Sequence, residues 1–151
     1  MKSEIKKIAV IGLGLIGSSI LHGLKTKFKK KFLTYAYDKN PKYRDIIRKM
    51  KIANKVCNAI KQTIKNADLI ILAIPVGSMG KVTKTISPFL KQGAIITDTG
   101  STKVSVIEDI TPFVPKNVFF IPSHPLAGTE HSGPEAGFSS LFENRYWIII
   151  S

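Results

Sequence analysis

Three glycines near the N-terminus have the spacing of a phosphate-binding loop. Gly12-Leu13-Gly14-Leu15-Ile16-Gly17 directly follows the apolar run 8–11 and opens a helical pattern, which is the context that a dinucleotide fingerprint requires. In such a loop the first glycine permits the tight turn, the second lets the pyrophosphate approach the backbone, and the third lets helix and strand pack closely. The pyrophosphate would lie on free N–H groups at the positive end of the helix dipole. We therefore predict that all six residues bind a dinucleotide cofactor.

One carboxylate stands where a ribose-binding acid is expected. Asp38 ends the second apolar run, about twenty residues beyond Gly17, and at that spacing a carboxylate accepts hydrogen bonds from both ribose hydroxyls of NAD. The same charge repels the 2′-phosphate of NADP, although Lys39 and Arg44 lie nearby in the sequence and would soften the preference. The glycine loop and Asp38 together predict NAD as the cofactor. The alternative, a glycine turn without ligand and an aspartate that only ends a strand, stays open.

A third loop is predicted beside the cofactor. The apolar run 69–74 has the composition of a buried strand, and it ends at Pro75-Val76-Gly77. Loops of this kind lie at the carboxyl edge of an open α/β sheet, where ligands bind. We place Pro75 and Val76 on the nicotinamide side of the cofactor, with a structural turn that contacts no ligand as the alternative.

Two further segments concentrate polar side chains directly after apolar runs. The first is Thr97-Asp98-Thr99-Gly100-Ser101-Thr102-Lys103, and the second is Ser123-His124-Pro125-Leu126-Ala127-Gly128-Thr129-Glu130-His131-Ser132-Gly133. Because each follows a predicted strand, both segments should emerge at the same carboxyl edge as the glycine loop. The chemistry of the protein is therefore expected there.

The elements that must position these segments alternate along the whole chain. Predicted strands cover 7–11, 33–37, 69–74, 94–97, 118–121 and 146–150, with a weaker one near Val56, and predicted helices cover about 15–28, 41–50, 80–90 and 102–113. Asn40 before Pro41 is a good helix N-cap, and Ser101 or Thr102 would cap the last helix. The alternation predicts one doubly wound α/β unit with a mostly parallel sheet, the Rossmann type of dinucleotide-binding domain.

Length and cysteine usage restrict the class of protein. A chain of 151 residues with 44% hydrophobic residues has the size of one domain with a real core. Cys57 is the only cysteine, so neither an internal disulfide nor a thiolate metal cluster is expected, and a reducing cytoplasm is the natural location. The polar N-terminal segment and the short apolar run after it predict neither a signal peptide nor a membrane span.

The formal charge of +13 raises nucleic acid or an anionic ligand as a partner. Arginine, which base readout and bidentate phosphate contacts favour, occurs only at Arg44, Arg48 and Arg145. We therefore predict a lysine-rich solvated surface rather than a nucleic-acid interface.

The two polar segments resemble motifs of the prephenate and arogenate dehydrogenase family. Its members carry a D-x-G-S-x-K segment, matched by residues 98–103, and an H-P-x-A-G-T-E-x-S-G segment, matched by residues 124–133. The resemblance runs from Ile8 through residues 133–137 to 142–145, without departure at the motif positions. It implies NAD-dependent oxidative decarboxylation of prephenate or arogenate, yielding 4-hydroxyphenylpyruvate or tyrosine in tyrosine biosynthesis.

The resemblance also implies roles for individual residues. His124 matches the catalytic histidine, and Ser101 matches the serine that hydrogen-bonds to it and to the substrate. The ring hydroxyl of prephenate sits on the carbon that surrenders hydride, and a neutral imidazole suits the acceptance of that proton near pH 7. Release of carbon dioxide and aromatisation drive the reaction without a metal. Thr129 and Glu130 are expected to contact or support the substrate.

Other polar residues are expected to have structural roles. Without the motif, His124 would be interpreted as a histidine hydrogen-bonded in a turn, and Ser101 as the N-cap of the following helix. The N-cap role of Ser101 is compatible with a role in catalysis. His131 and Lys103 are expected to be peripheral, and His22 to be a helix-surface histidine.

The resemblance implies that this chain is one half of a longer enzyme. Family members continue into a helical domain that supplies most of a dimer interface and an arginine for a substrate carboxylate. We expect residues 1–151 to be the NAD-binding domain, the full-length protein to be a homodimer, and this chain alone to bind cofactor without turnover.

Two other functions compete with this interpretation. The first is another NAD(P)-dependent enzyme of the β-hydroxyacid dehydrogenase type, which shares the glycine loop but does not need the segment 124–133. The second is a non-catalytic protein that binds a nucleotide or associates with nucleic acid. Retention on DNA that falls steeply with salt would favour the second.

Overall fold

The computed structural model describes residues 4–151, which alternate between strands and helices. The strands are β1 (Lys7–Ile11), β2 (Leu33–Tyr37), β3 (Lys55–Val56), β4 (Leu69–Leu72), β5 (Ile95–Asp98), β6 (Phe119–Ile121), β7 (Ser123–Pro125) and β8 (Trp147–Ile149). The helices are α1 (Leu15–Phe28), α2 (Pro41–Met50), α3 (Ile60–Ile64), α4 (Val76–Ile86) and α5 (Lys103–Ile110), and short 3-10 turns cover Ser87–Phe89, Thr111–Phe113 and Pro134–Ala136. Residues 1–3, which begin the segment expected to be neither signal peptide nor membrane span, lie outside the described residues.

Six strands form a parallel sheet in the order β3-β2-β1-β4-β5-β6. The chain winds outward from β1 to β3, crosses back to β4 beside β1, and then winds outward again to β6. The reversal between β1 and β4 is the switch point beside which ligands bind in such sheets. The prediction of a doubly wound α/β fold is confirmed.

Hydrophobic side chains cover both faces of the sheet. On β1, Ala9 and Ile11 pack into one buried cluster with residues of α3, α4 and α5. Ile8 and Val10 point to the opposite face and join residues of α1 and α2. This alternation follows from the two-residue period of a strand, and burial on both faces explains why the strands are continuous apolar runs.

Local sequence signals set the bounds of the first four major elements. β1, α1, β2 and α2 begin and end where the pattern predicted. Asn40 caps α2 as expected, because its side-chain oxygen accepts a hydrogen bond of 3.0 Å from the N–H of Lys42, with Pro41 at the first helical position. None of the helices in residues 4–151 combines the length and the apolar character needed to cross a membrane.

Two helices depart from the prediction. α4 begins at Val76 rather than near residue 80, and α3 was not predicted at all. Gly77 and Gly80 weaken the helical signal at the start of α4, but burial of Met79 one turn further on stabilises the helix. α3 has only five residues, too few to show a helical period.

The strand predicted at 146–150 exists but does not join the parallel sheet. β8 pairs antiparallel with β7, with His124 opposite Ile148. β7 was not predicted, because its sequence Ser-His-Pro has no strand pattern of its own. The pairing therefore places the segment around His124 in a small separate sheet.

Candidate active site

The glycine loop has the geometry that a bound pyrophosphate needs. Gly12 has a φ of +99°, and a Cβ atom there would lie 2.1 Å from the carbonyl oxygen of Ala73. At Gly17 a Cβ atom would lie 1.8 Å from the carbonyl oxygen of Gly12, so the helix start can pack on the loop only without a side chain. No heavy atom lies within 4 Å of the corresponding position at Gly14. The middle glycine is therefore open to a ligand.

Asp38 ties the glycine loop to the end of β2. One carboxylate oxygen accepts a hydrogen bond of 2.8 Å from the N–H of Leu13, and the other accepts one of 2.8 Å from the N–H of Asn40. Each oxygen keeps a further lone pair for a ribose hydroxyl. Arg44 donates from Nη1 to the backbone carbonyls of Asp38, at 2.8 Å, and Lys39, at 3.4 Å. Its guanidinium is therefore held by two backbone carbonyls that directly follow β2.

A cavity of about 450 Å³ opens between the glycine loop, the end of β2 and the start of α4. Five of the predicted cofactor-binding residues line it: Gly12, Gly14, Leu15, Asp38 and Pro75. Its floor is largely apolar, with contributions from Ile60, Ile74 and Val82. Apolar walls with a few polar groups are typical of cofactor sites.

The other four predicted cofactor residues lie behind this lining. Leu13 is fully buried in the core, although its N–H reaches Asp38. Gly17 is buried under the loop, and Ile16 packs against the core on the α1 side. Val76 packs against the opposite core. For these residues the structure shows support of the loop rather than exposure to the cavity.

Several residues that line the cavity were not predicted from the sequence. Tyr43 of α2 lines it, and so do Ser132 and Gly133, the last two residues of the second polar segment. Gly133 has a φ of +87°, a backbone conformation that favours glycine. The segment that begins at His124 thus ends in the wall of the cofactor cavity. The Ser-Gly pair of the motif was the available signal.

His124 is partly buried and its ring faces the turn after β5. Its Nδ1 atom lies 3.4 Å from the carbonyl oxygen of Thr99. If Nδ1 carries the proton that is donated to this carbonyl, Nε2 has the free lone pair. The backbone of His124 is fixed on the other side by pairing with Ile148 of β8.

A buried polar cluster precedes His124 and was not predicted. Asp98, which is fully buried, accepts hydrogen bonds from the N–H groups of Gly100, at 2.9 Å, and Ser123, at 3.1 Å. The Ser123 hydroxyl donates to the Asp98 carbonyl at 2.7 Å and accepts from Trp147 Nε1 at 2.9 Å. Lys103 forms an ion pair with Asp98. The cluster joins β5, α5, β7 and β8.

Lys103 and His22 differ from their predicted roles. Lys103 is not peripheral: its side chain is only 15% exposed, and it pairs with Asp98 and donates to the Ser123 carbonyl at 2.6 Å. His22 is not a simple surface histidine, because its Nε2 atom is buried without a partner among residues 4–151. Burial, and then the charge of Lys25, lower the pKa of His22.

The predicted substrate-contacting residues lie on the surface. Ser101, Thr129 and Glu130 are exposed, and within residues 4–151 no hydrogen bond joins Ser101 to His124. Ser101 does not cap α5 either, because Thr102 occupies the N-cap position and makes no capping bond. The Thr129 hydroxyl accepts from the N–H of His131 at 3.1 Å, so its contact is local. The structure brings His124 to the carboxyl edge but leaves these three side chains facing solvent.

Sequence comparisons show similarity to prephenate and cyclohexadienyl dehydrogenases. A family pattern described as "Prephenate dehydrogenase, nucleotide-binding domain" matches residues 22–150. The chain is 44% identical over 144 residues to a cyclohexadienyl dehydrogenase of Zymomonas mobilis, covering 95% of this chain and 48% of that protein. It is 40% identical over 147 residues to a prephenate dehydrogenase of Lactococcus lactis, covering 96% and 41%. The chain therefore spans about half the length of these curated relatives.

Solved structures show the same architecture. The chain superposes with a TM-score of 0.88 on a prephenate dehydrogenase from A. aeolicus in complex with hydroxyphenyl propionate and NAD+, at 26% identity, covering 100% of this chain and 52% of that one. A 3-hydroxyisobutyrate dehydrogenase of Mycobacterium tuberculosis superposes with a TM-score of 0.68 at 13% identity, which is a likeness of fold alone. The competing β-hydroxyacid dehydrogenase type thus shares the fold, while sequence similarity favours the family of the first structure.

Proposed function

The chain belongs to the prephenate dehydrogenase family, and on that premise we propose that it is the NAD-binding part of an enzyme of tyrosine biosynthesis. The enzyme oxidises and decarboxylates prephenate to 4-hydroxyphenylpyruvate, or arogenate to tyrosine. One observation carries the proposal: the segment that begins at His124 ends at Ser132 and Gly133 in the lining of the cofactor cavity. A proton acceptor and a dinucleotide site thus belong to one continuous structure.

NAD is the proposed cofactor because of the residues at the carboxyl end of β2. Asp38 has lone pairs left for the ribose hydroxyls after its bonds to Leu13 and Asn40, and its charge opposes a 2′-phosphate. Arg44 donates from Nη1 to the backbone carbonyls of Asp38 and Lys39, which holds this atom at the backbone. The open space at Gly14 fits the pyrophosphate.

Each predicted site residue of this chain then has a proposed role in the reaction. When bound, NAD supplies the hydride acceptor. His124 accepts the ring hydroxyl proton of the substrate at Nε2, and the contact of Nδ1 with Thr99 orients the ring. Ser101, Thr129 and Glu130 are proposed to contact or support the substrate when the site is complete. Pro75, at the cavity wall, is proposed to face the nicotinamide half.

The complete enzyme is proposed to extend beyond this domain. The chain covers 48% and 41% of two curated relatives, and we propose that the rest of the enzyme is a helical domain that supplies a cation for a substrate carboxylate and most of a homodimer interface. A cytoplasmic location is proposed from the single buried cysteine and from the type of pathway. The lysine-rich surface is proposed to be solvated rather than to bind nucleic acid.

The proposal is tested by assaying the full-length gene product with prephenate and arogenate, each with NAD and NADP. We expect reduction of NAD coupled to release of carbon dioxide with at least one of the two substrates. Absence of turnover with both substrates, beside turnover of a β-hydroxyacid, would assign the protein to the competing dehydrogenase type.

A further inference from the structure

We propose that Asp98 and Lys103 form a positioning pair that holds His124 in the tautomer with a free lone pair on Nε2. The inference rests on the proposed role of His124 as proton acceptor. Neither residue of the pair is proposed to touch the substrate. They act through the backbone on both sides of the contact between His124 and Thr99.

Asp98 binds the two segments that make this contact. One carboxylate oxygen accepts from the N–H of Gly100, the residue directly after Thr99. The other accepts from the N–H of Ser123, the residue directly before His124. A single carboxylate therefore fixes the Thr99 carbonyl and the His124 backbone relative to each other.

Lys103 completes this arrangement from the start of α5. Its ammonium pairs with Asp98 and also donates to the carbonyl of Ser123 at 2.6 Å. Asp98 is fully buried, and a buried carboxylate without a cation is strongly disfavoured. Lys103 therefore places a cation against the buried carboxylate and gives Ser123 a second attachment.

The tautomer of His124 depends on these attachments. A carbonyl oxygen only accepts hydrogen bonds, so Thr99 selects the ring form with its proton on Nδ1. The Nδ1 to oxygen distance of 3.4 Å is at the long end for a hydrogen bond, so a small movement of either segment breaks the contact. Partners that orient a working histidine in this way are a general device for setting its tautomer.

A second aspartate–lysine pair at the opposite edge of the sheet provides a matched control. Asp68, at the start of β4, accepts from the N–H groups of Lys6 and Lys7 at 2.9 Å each and pairs with Lys91. It has the same chemistry as the first pair, two backbone donors and one ammonium. Its partners belong to the amino edge of the sheet, and no histidine is among them.

The test observes the imidazole nitrogens of the ¹⁵N-labelled protein by long-range ¹H–¹⁵N correlation, at alkaline pH where free imidazole is neutral. The chain has three histidines, and His124→Asn assigns the relevant signals. We expect His124 to carry its proton on Nδ1. Lys103→Met should shift it towards the Nε2-protonated form, Lys103→Arg should retain it, and Lys91→Met should leave it unchanged.

Two results would overturn the inference. One is a wild-type His124 with its proton on Nε2, which needs no variant to observe. The other is an unchanged tautomer in folded Lys103→Met. If that variant fails to fold, the double variant Asp98→Asn, Lys103→Met removes both charges together, leaves no lone buried charge, and must show the same shift.

Kinetics of the full-length enzyme give a second measurement. Lys103→Met should lower kcat by about 10–100-fold with an unchanged Kd for NAD, whereas Lys91→Met should change neither. An equal loss in both lysine variants would contradict a positioning role. If the wild-type protein binds no NAD, the proposed function fails, whereas the tautomer result still decides the inference on its own.

Discussion

The cofactor loop and the segment after His124 lie at the same edge of the sheet but are built very differently. In the loop 12–17, the N–H of Leu13 is bonded to Asp38, and two of its glycines are closed in by backbone atoms. In the segment 126–131, the Thr129 side chain bonds only to a near neighbour, and the Glu130 carboxylate lies 3.7 Å from Nε2 of His131, which is also exposed. The loop 12–17 is thus held by this domain's own atoms, whereas we propose that substrate recognition needs further groups.

The largest expected effect is a loss of turnover on substitution of His124, which directly precedes the exposed segment. His124→Asn in the full-length enzyme should lower kcat by about 10²–10⁴-fold, because a general base is typically worth that much in rate. NAD affinity should stay nearly unchanged, since His124 does not line the cavity. His131→Asn is the matched control, because that histidine is exposed. Ser101→Ala should cost less than His124→Asn. Wild-type turnover in His124→Asn would remove the residue from the mechanism.

Two glycines of the loop 12–17 are expected to have different roles, Gly17 in the stability of the fold and Gly14 in the binding of NAD. Gly17→Ala should lower the free energy of unfolding by about 3 kcal/mol or more, because its methyl group overlaps a backbone oxygen. Gly14→Ala should leave thermal unfolding nearly unchanged but weaken NAD binding, because its methyl group meets only the space for the ligand. Thermal unfolding and calorimetric titration of both variants measure the two effects. Undiminished NAD binding by Gly14→Ala would place the pyrophosphate elsewhere.

Asp38 is expected to determine the preference of the cofactor site for NAD over NADP. Asp38→Ala should narrow the difference between NAD and NADP binding by about 1–3 kcal/mol, the loss expected for a charge-assisted hydrogen bond. Asp45→Ala provides the control, because that carboxylate is exposed and pairs with Arg48 on the same helix. Titration of each variant with both cofactors measures the change. A similar change in Asp45→Ala would indicate general electrostatics rather than ribose recognition.

The smallest expected effect is on the pH dependence of stability, and it concerns Asp68, which directly precedes β4. Burial raises the pKa of Asp68, but hydrogen bonds from Lys91, Lys7 and Lys6 outweigh it, so the pKa lies below its ordinary value. The contribution of Asp68 to the free energy of unfolding is therefore complete above the pKa of this carboxyl in the unfolded chain, about 3.9. This contribution is lost as pH falls through the lower pKa of Asp68 in the folded protein. Denaturant unfolding at a series of pH values below about 5 should show a weaker pH dependence of the free energy of unfolding for Asp68→Asn than for the wild type. An identical pH dependence in wild type and variant would contradict this account.

The sequence predicted those parts of the molecule that local signals determine. The start of α2 follows from Asn40 and Pro41, and the loop geometry follows from glycine spacing. The pairing of β7 with β8 was missed because it joins residues more than twenty positions apart, and neither strand alone indicates its partner. The cluster around Asp98 was missed for the same reason, since its bonds to Ser123 cross two elements.

The candidate site divides in the same way into features set by local sequence and features set by contacts between distant residues. Asp38 and three of the predicted loop residues line the cavity, because a fingerprint of contiguous residues carries its own geometry, and their binding of a cofactor stays a prediction. Lys103 was wrongly expected to be peripheral, because its burial depends on a partner that only the folded chain reveals. The roles of Ser101, Thr129 and Glu130 stay predictions.

One measurement tests the central claim that the cofactor site is complete in this domain while the substrate site is not. The 151-residue chain is titrated calorimetrically with NAD and with NADP, and NADH production with prephenate and with arogenate is followed in the same preparation beside a full-length homologue. We predict binding of NAD that is tighter than binding of NADP, and no turnover by this chain. Equal or tighter binding of NADP, or near-normal NADH production by the chain alone, would contradict the account.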